Sequence, residues 1–536
     1  MKVSTLSSAL LPVFLIFMAF FVPGALAQQP VVADQLPGAD WCAKVNYADQ
    51  QVLADPTTHA PISGEIWVSA AAGNSACASQ VKLSPNRTLR FTQGGTFLLS
   101  CAGMTTQSVI ATINGQQVVF PSQNVSIIGT SGLILTLQNG CPNFSSPLQI
   151  WNSTGVVVRD LEINGNGNQQ QSGEQDHDIL VVDSNRVKIL NNYLHDAQGD
   201  DVLVYTDSNM TAGCNDVVIE GNTFANIGRH HVALAGYGCN DFRVLGNHFA
   251  YGSPVTTSSS RGNAVHVEGE ASGTGLQRIT IAANTDIGAV GMCYSANAAA
   301  GNPIKGLVIE NNQCSGTNSS VNASAAIVVM MTQDAVIGGN TIFMSGSAAG
   351  TDGIFVEEVP GTSTQAHRFS IHNNTIEGVS SSGIELFSAS SATGTPQAFS
   401  VHDNVINGSS GFCLKVINNF ADVDIHDNIC TNLQAGGIHL ESPVRFHIHH
   451  NTVRDFGLNG SPANGIELTC NSVHTALGPG HVENNRIGNA TAAGKTGIYE
   501  DSACIAAVYV FHNDLSENAT GISFLSGGYV NGEPPY

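Results

Sequence analysis

The stretch Phe369-Ser370-Ile371-His372-Asn373-Asn374-Thr375-Ile376-Glu377-Gly378-Val379-Ser380-Ser381-Ser382-Gly383-Ile384-Glu385-Leu386 carries the reading of the fold. It opens in an alternation of apolar and polar residues, meets a dipeptide ending in Asn, takes a short hydrophobic step and closes in a second alternation. Period-two alternation marks a strand with one buried face. The dipeptide recurs in the same setting at Asn191-Asn192, Gly221-Asn222, Gly246-Asn247, Ala283-Asn284, Asn311-Asn312 and Gly339-Asn340. It continues at Asp403-Asn404, Asp427-Asn428, His450-Asn451, Asn484-Asn485 and His512-Asn513. The Gly-Ile strand likewise returns at Gly353-Ile354, Gly437-Ile438, Gly465-Ile466 and Gly521-Ile522.

Intervals between the asparagines run from 23 to 37 residues, with no sustained helical periodicity. A unit of two or three short strands cannot bury its face alone and must stack on copies of itself. The Leu-x-x-Leu-x-Leu frame of leucine-rich repeats and the four-strand motif of propeller blades are both missing. Variable coil length suits a parallel β-helix, where insertions leave at turns while equivalent strand residues stack about 4.8 Å apart. The expected fold is therefore all-β, a right-handed parallel β-helix solenoid of roughly 12–15 coils. The repeated asparagines become its amide ladder, bonded along the stack and to the turn backbone.

Three segments follow. Residues 1–27 read as a signal peptide, with Lys2 before an apolar run from Leu10 to Val22 and Ala25-Leu26-Ala27 at the close. That run is too short to span a bilayer and nothing later is long and apolar enough, so export without a membrane span is expected. Residues 28–60 form a cap, with Trp41, Val45, Tyr47 and Val52 as the apolar side of a helix over the open end of the barrel. Residues 61–536 form the solenoid. With 42% hydrophobic and 11% charged residues the chain is not disordered, and Lys+Arg 19 against Asp+Glu 41 gives −22, which repels nucleic acid and anionic membranes.

The 12 cysteines of an exported chain are expected to pair. Cys214-Asn215-Asp216 and Cys239-Asn240-Asp241 occupy the same place in successive repeats, which puts Cys214 within disulfide reach of Cys239. Sequence neighbours suggest Cys77 with Cys101, Cys293 with Cys314, Cys413 with Cys430 and Cys470 with Cys504, leaving Cys42 and Cys141.

This pattern, over roughly residues 60–530, resembles the pectin-lyase-like superfamily of β-helix proteins, which includes pectate lyases, polygalacturonases, alginate lyases, mannuronan epimerases and phage tailspikes. The resemblance implies architecture; reaction has to be read from a site. One region departs from the plain repeat. Strand starts of successive coils read Asp176-His177-Asp178, Asp200-Asp201 and Arg229-His230-His231, followed by Arg261-Gly262-Asn263, His266 and Glu268. Stacking would align them as an exposed column, whereas later coils carry plain Gly at this place, as at Gly383, Gly437, Gly465 and Gly521. A charged row on a solenoid is often only solvated surface. Concentrated on adjacent coils, these groups suit acid–base chemistry, because paired carboxylates drive their pKa values apart and histidine titrates near neutrality.

The order is similar to the polygalacturonase motifs Asn-Thr-Asp, Gly-Asp-Asp, Gly-His-Gly and Arg-Ile-Lys, here met by Asp178, Gly199-Asp200-Asp201, His230 or His231, and Arg261. Asn-Thr-Asp itself is missing and the third motif reads Arg-His-His. The resemblance implies catalytic roles for Asp178, Asp200, Asp201, His177, His230 and His231. Asp178 stacked directly on Asp201 would give the separation of roughly 5 Å of a retaining hydrolase, and a diagonal pair that of an inverting one. His177-Asp178 also resembles part of the Asp-Pro-His-Asp motif of mannuronan epimerases, which implies proton abstraction at uronate C5 with Arg229 or Arg261 neutralising the carboxylate. Arg229, Arg261, Asn263, His266 and Glu268 are then the substrate-binding candidates.

No cofactor is required by these residues, although Asp176, Asp178, Asp200 and Asp201 make Ca2+ a candidate ligand. His447, His449 and His450 read as ordinary solvated positions rather than a metal site. The function expected is a secreted carbohydrate-active protein that cleaves or modifies an acidic, uronate-containing polysaccharide as hydrolase or lyase. Uronate epimerisation and a non-catalytic adhesive or glycan-binding surface are the alternatives, although 10 Tyr and 3 Trp offer no evident aromatic platform.

Overall fold

The computed structural model describes residues 29–531 except for short stretches, the longest being 112–122, 317–324, 359–366 and 389–396. The proposed signal peptide and Arg261 lie outside the described residues. Among the described residues the strands form three sheets of 18, 15 and 16 strands, and the chain visits them in turn. The 15 strands of the second sheet agree with the expected solenoid of roughly 12–15 coils, and the third sheet starts at Val81–Lys82. The pairing between coils is parallel throughout, as for Ile354 with Ile384 and Ile384 with Leu414.

The opening stretch shows how one coil is made. His367–His372 is a strand of the first sheet, Thr375–Glu377 of the second and Ile384–Ser388 of the third. Between the first two, Asn373 takes a left-handed φ of 54° and turns the chain. The same conformation recurs before every ladder asparagine from Asn191 to His512, which accounts for Gly, Asn, Asp and His at that place. Asn374 then donates its backbone N–H and its amide to Asn404 Oδ1 at 3.0 and 2.9 Å, and its amide also to the Ile337 carbonyl at 2.9 Å. This arrangement runs unbroken from Asn192 to Asn513, with every member buried or half-buried. Inside, Ile, Val and Phe stack coil upon coil, with Phe369 on Phe399 at 5.0 Å.

The cap is a helix at Trp41–Tyr47 extended by one wider turn, Ala48–Val52. Trp41 packs edge-on against Phe91 and Phe97, and Val45 is buried, but Tyr47 and Val52 point to solvent. Asp49 instead anchors the cap, pairing at 2.5 Å with the fully buried Arg87. Cys42 is bonded to Cys77, which corrects the expected Cys77–Cys101 pairing. The cap helix brings Cys42 within 5.5 Å of Cys77 between Cα atoms, and Cys101 lies outside the described residues. The other four expected disulfides form, including Cys214–Cys239 with Cα atoms 4.5 Å apart. Cys141 is also disulfide-bonded. No helix among the described residues is long and apolar enough to cross a membrane.

Candidate functional site

Strand register places the atypical residues. Ile179 pairs with Val202, Val202 with Val232 and Val232 with Val265. The residues just before these strands therefore stack in two columns, His177, Asp200, His230 and Asn263 in one, and Asp178, Asp201 and His231 in the other. Backbone bonds continue through both, from Asp178 N–H to the Asp200 carbonyl and from His231 N–H to the Asn263 carbonyl. One exposed column was expected, and the second of these is instead inside the barrel.

Asp178, Asp201 and His231 have 0% exposure. The reason lies in the same position on later coils: a Cβ added at Gly383 or Gly465 would come within 2.5 Å of Ile406 or 2.1 Å of Ile487 on the second sheet. The plain glycines mark an inward, crowded position rather than a bare surface one. In the atypical coils His231 fills that space among Phe224, Phe249 and Tyr251 and meets Asp201 Oδ2 through Nδ1 at 2.5 Å. Neither oxygen of Asp178 makes a hydrogen bond of normal geometry. Burial lifts both carboxyls well above the ordinary range, reinforced by the charge of Asp196 at Asp178 and of Asp178 at Asp201. Burial also pushes His231 down to about 3. Burial thus favours the uncharged form of all three groups in this column.

The outer column is built around Asp200. Its buried carboxylate accepts from Arg229 Nε at 3.0 Å and Nη2 at 2.7 Å, and from the His230 N–H at 3.1 Å. His177 Nδ1 accepts the Asp200 N–H at 3.0 Å, and burial pushes this histidine down to about 4. His230 Nδ1 accepts the Asn263 N–H at 2.9 Å, and its ring stacks on His266 at 4.5 Å. Burial, then the neighbouring His266, hold its pKa well below the usual value. Both imidazoles are thus neutral, with Nδ1 occupied and the proton on Nε2. The Asn263 amide contacts Ser295 Oγ at 2.5 Å, and Ser295 Oγ lies 2.7 Å from His266 Nδ1, so Asn263 positions His266 from beneath. Glu268 is 57% exposed on its side chain, and its bond with His266 holds its pKa below the ordinary range. Close turn packing permits this: a Cβ on Gly262 would sit 2.1 Å from His230 Nδ1.

Of the residues singled out in the sequence, Arg229, His230, His266 and Glu268 reach solvent together, while His177, Asp200 and Asn263 support them from below. The four carboxylates suggested for Ca2+ do not converge. Asp176 bonds the Ser145 N–H at 2.7 Å, Asp200 faces Arg229, and Asp178 and Asp201 face inward. Sequence reasoning passed over Glu162, Tyr193, His195 and Asp196 on the second sheet. Tyr193 stacks on His195 at 4.5 Å, and His195 lies 2.6 Å from Asp196 and 3.5 Å from Glu162. The alternation Tyr193-Leu194-His195 straight after Asn191-Asn192 was the available signal.

A family model described as right handed beta helix region matches residues 364–532. The chain is a right-handed parallel β-helix. Among solved structures, the β-helix is similar to the mannuronan C-5 epimerase A-module of Azotobacter vinelandii at 12% identity and TM-score 0.35, over 94% of this chain and 98% of that one. It is similar to the DFA-IIIase of Arthrobacter chlorophenolicus at 11% identity and TM-score 0.47, over 72% and 93%. It is also similar to PfbA, a surface adhesin of Streptococcus pneumoniae, at 12% identity and TM-score 0.39, over 80% and 91%. These likenesses concern the fold. No curated protein matches the sequence of this β-helix.

Proposed function

We propose that this β-helix is a secreted carbohydrate-active enzyme that holds a uronate-containing polysaccharide over Arg229, His230, His266 and Glu268 and removes the proton at uronate C5. The observation that carries this reading is an ionised, solvent-facing carboxylate, Glu268, beside a cation and the neutral imidazole of His230, with His266 stacked on it. Arg229 keeps guanidinium donors beyond the two given to Asp200 and would pair with the uronate carboxylate, which acidifies C5. Glu268 takes the C5 proton. His230 Nε2–H donates to the oxygen leaving C4, so that the C4–O bond breaks and a C4–C5 double bond forms. Epimerisation would share only the proton removal: the C4–O bond stays intact and a proton returns to the opposite face of the C5 carbanion. Hydrolysis is less well served, since it needs two carboxyl groups flanking the glycosidic bond and Asp178 and Asp201 are inside the barrel. Export is supported by the N-terminal charge, apolar run and Ala-x-Ala close, and by the disulfides.

The test is incubation of the purified chain with polygalacturonate, alginate and neutral glycans in D2O. Unsaturated uronate absorbance or deuterium at C5 is expected on a uronate polymer, and its loss in Glu268→Gln. New reducing ends without unsaturation, or activity untouched by Glu268→Gln, would overturn the reading.

A further inference from the structure

Histidines concentrate on a second face, the outside of the first sheet in the later coils. His372, His402, His426 and His449 stack ring on ring at 5.2, 4.8 and 4.9 Å, following the strand register. The column two residues earlier on each strand aligns Asp424 with His447 and His447 with His481. Upstream coils place Val308, Val336 and Ser370 in that same column. Where the two columns run side by side, on strands Ala421–His426 and Phe446–His449, Asp424, His447 and His449 bring one ligand atom each within 4.8 Å of one another.

We propose that Asp424, His447 and His449 bind a divalent transition-metal ion of the zinc class through Asp424 Oδ1, His447 Nδ1 and His449 Nε2. Asp424 Oδ1 lies 3.1 Å from His449 Nε2 and 3.8 Å from His447 Nδ1. Ligand bonds of about 2.0–2.1 Å in a tetrahedral shell separate neighbouring ligand atoms by roughly 3.3 Å, so the two distances bracket what an ion needs. The second nitrogen of each imidazole is already held, as metal-ligating histidines require. His447 Nε2 meets Glu483 Oε1 at 2.8 Å, and His449 Nδ1 meets His450 Nδ1 at 2.8 Å. Glu483 thereby orients His447 and turns Nδ1 toward Asp424. Two imidazoles and one carboxylate select zinc, cobalt, nickel or copper over calcium and magnesium, which prefer oxygen throughout. Asp424 and His447 are 45% and 39% exposed, which leaves the fourth position open to water or an external donor. From sequence His447, His449 and His450 read as ordinary solvated positions; the strand register instead brings Asp424 to His447 and His449 and makes His450 a support.

The proposal is tested on the full chain, free of any histidine tag and stripped with EDTA, by calorimetric titration with Zn2+ and by visible absorption with Co2+. The result expected is one ion per chain, with intense cobalt d–d bands, both abolished in His447→Gln and in His449→Gln. Glu483→Gln should weaken binding roughly 10–100-fold while leaving the stoichiometry unchanged. Far-ultraviolet circular dichroism checks that each variant folds. His402→Gln, in the stacked column away from the ligands, should bind as the parent does. No binding, binding unchanged in both His447→Gln and His449→Gln, or loss in His402→Gln would overturn the site.

Discussion

His231 Nδ1 lies 2.5 Å from Asp201 Oδ2, both inside the barrel, where burial holds the carboxyl well above its ordinary range and pushes the imidazole down to about 3. A protonated Asp201 donates to the Nδ1 of the neutral imidazole. In the unfolded chain Asp201 ionises near 3.9, so above that value the native state holds a proton that the unfolded state has lost. Its contribution is complete below the unfolded pKa and shrinks as pH rises toward the raised native one. Above pH 6.5, where unfolded histidines are neutral, the parent should lose stability with rising pH more steeply than Asp201→Asn, whose amide still donates to His231, by at most about 1.4 kcal/mol per pH unit. Urea midpoints of the two proteins at pH 6.5, 7.5 and 8.5 measure the difference, and parallel curves would show that Asp201 is ionised.

The asparagine ladder makes a graded prediction. Asn340 Oδ1 accepts from the N–H and amide of Asn312, and its own amide donates to Asn374 and to the Ile309 carbonyl. Asn340→Ala strands several buried groups at about 1–3 kcal/mol for each left unpaired, so a loss of more than 3 kcal/mol is expected. Asn513→Ala, at the half-buried last member, should cost less than half as much. Chemical denaturation of both variants gives the ratio.

Ala283 is the one alanine in the turn position preceding a ladder asparagine, with φ of 56° and an exposed side chain. A left-handed conformation costs an L-residue roughly 1–2 kcal/mol, and glycine returns about 0.5–1 of the relief as chain entropy. Ala283→Gly should raise stability by up to about 1 kcal/mol, read as a shift in thermal midpoint. A drop would mean that the Ala283 side chain makes a contact worth more than the strain.

The coils were legible because each repeats one solution: an αL residue, a ladder asparagine, then a strand whose inward residues must be apolar. Twelve copies of Asn in one setting leave little else to read. The inward column was misread for a physical reason. Alternation assigns faces within a strand, but Asp178, Asp201 and His231 stand at the turn before it, where the backbone changes direction and parity no longer tells inside from outside. Gly383 and Gly465 looked featureless in sequence because the Ile406 and Ile487 side chains that exclude a Cβ come from the next coil. Cys42 was left over because its partner depends on where the cap helix docks, and no repeat encodes that. Arg229, by contrast, was found by its place in the order Arg-His-His, and only the fold adds that Asp200 holds it.

Arg229 and Glu268 should separate binding from stability. Asp200 is fully buried and relies on Arg229 for two of its hydrogen bonds, so Arg229→Met leaves a buried charge unpaired. Breaking such a pair typically costs about 3–5 kcal/mol, and Arg229→Lys should recover part of it as a single-point contact. Glu268 stands at the surface, and Glu268→Gln should change stability by less than about 0.5 kcal/mol. On a uronate polymer Glu268→Gln is expected to lower turnover at least 100-fold with KM little changed, because it removes the proton acceptor and leaves the cation in place. Arg229→Lys should chiefly raise KM. If Glu268→Gln instead raises KM alone, Glu268 only helps to hold the glycan, and the proton acceptor must be sought at His266, whose ring stacks on His230.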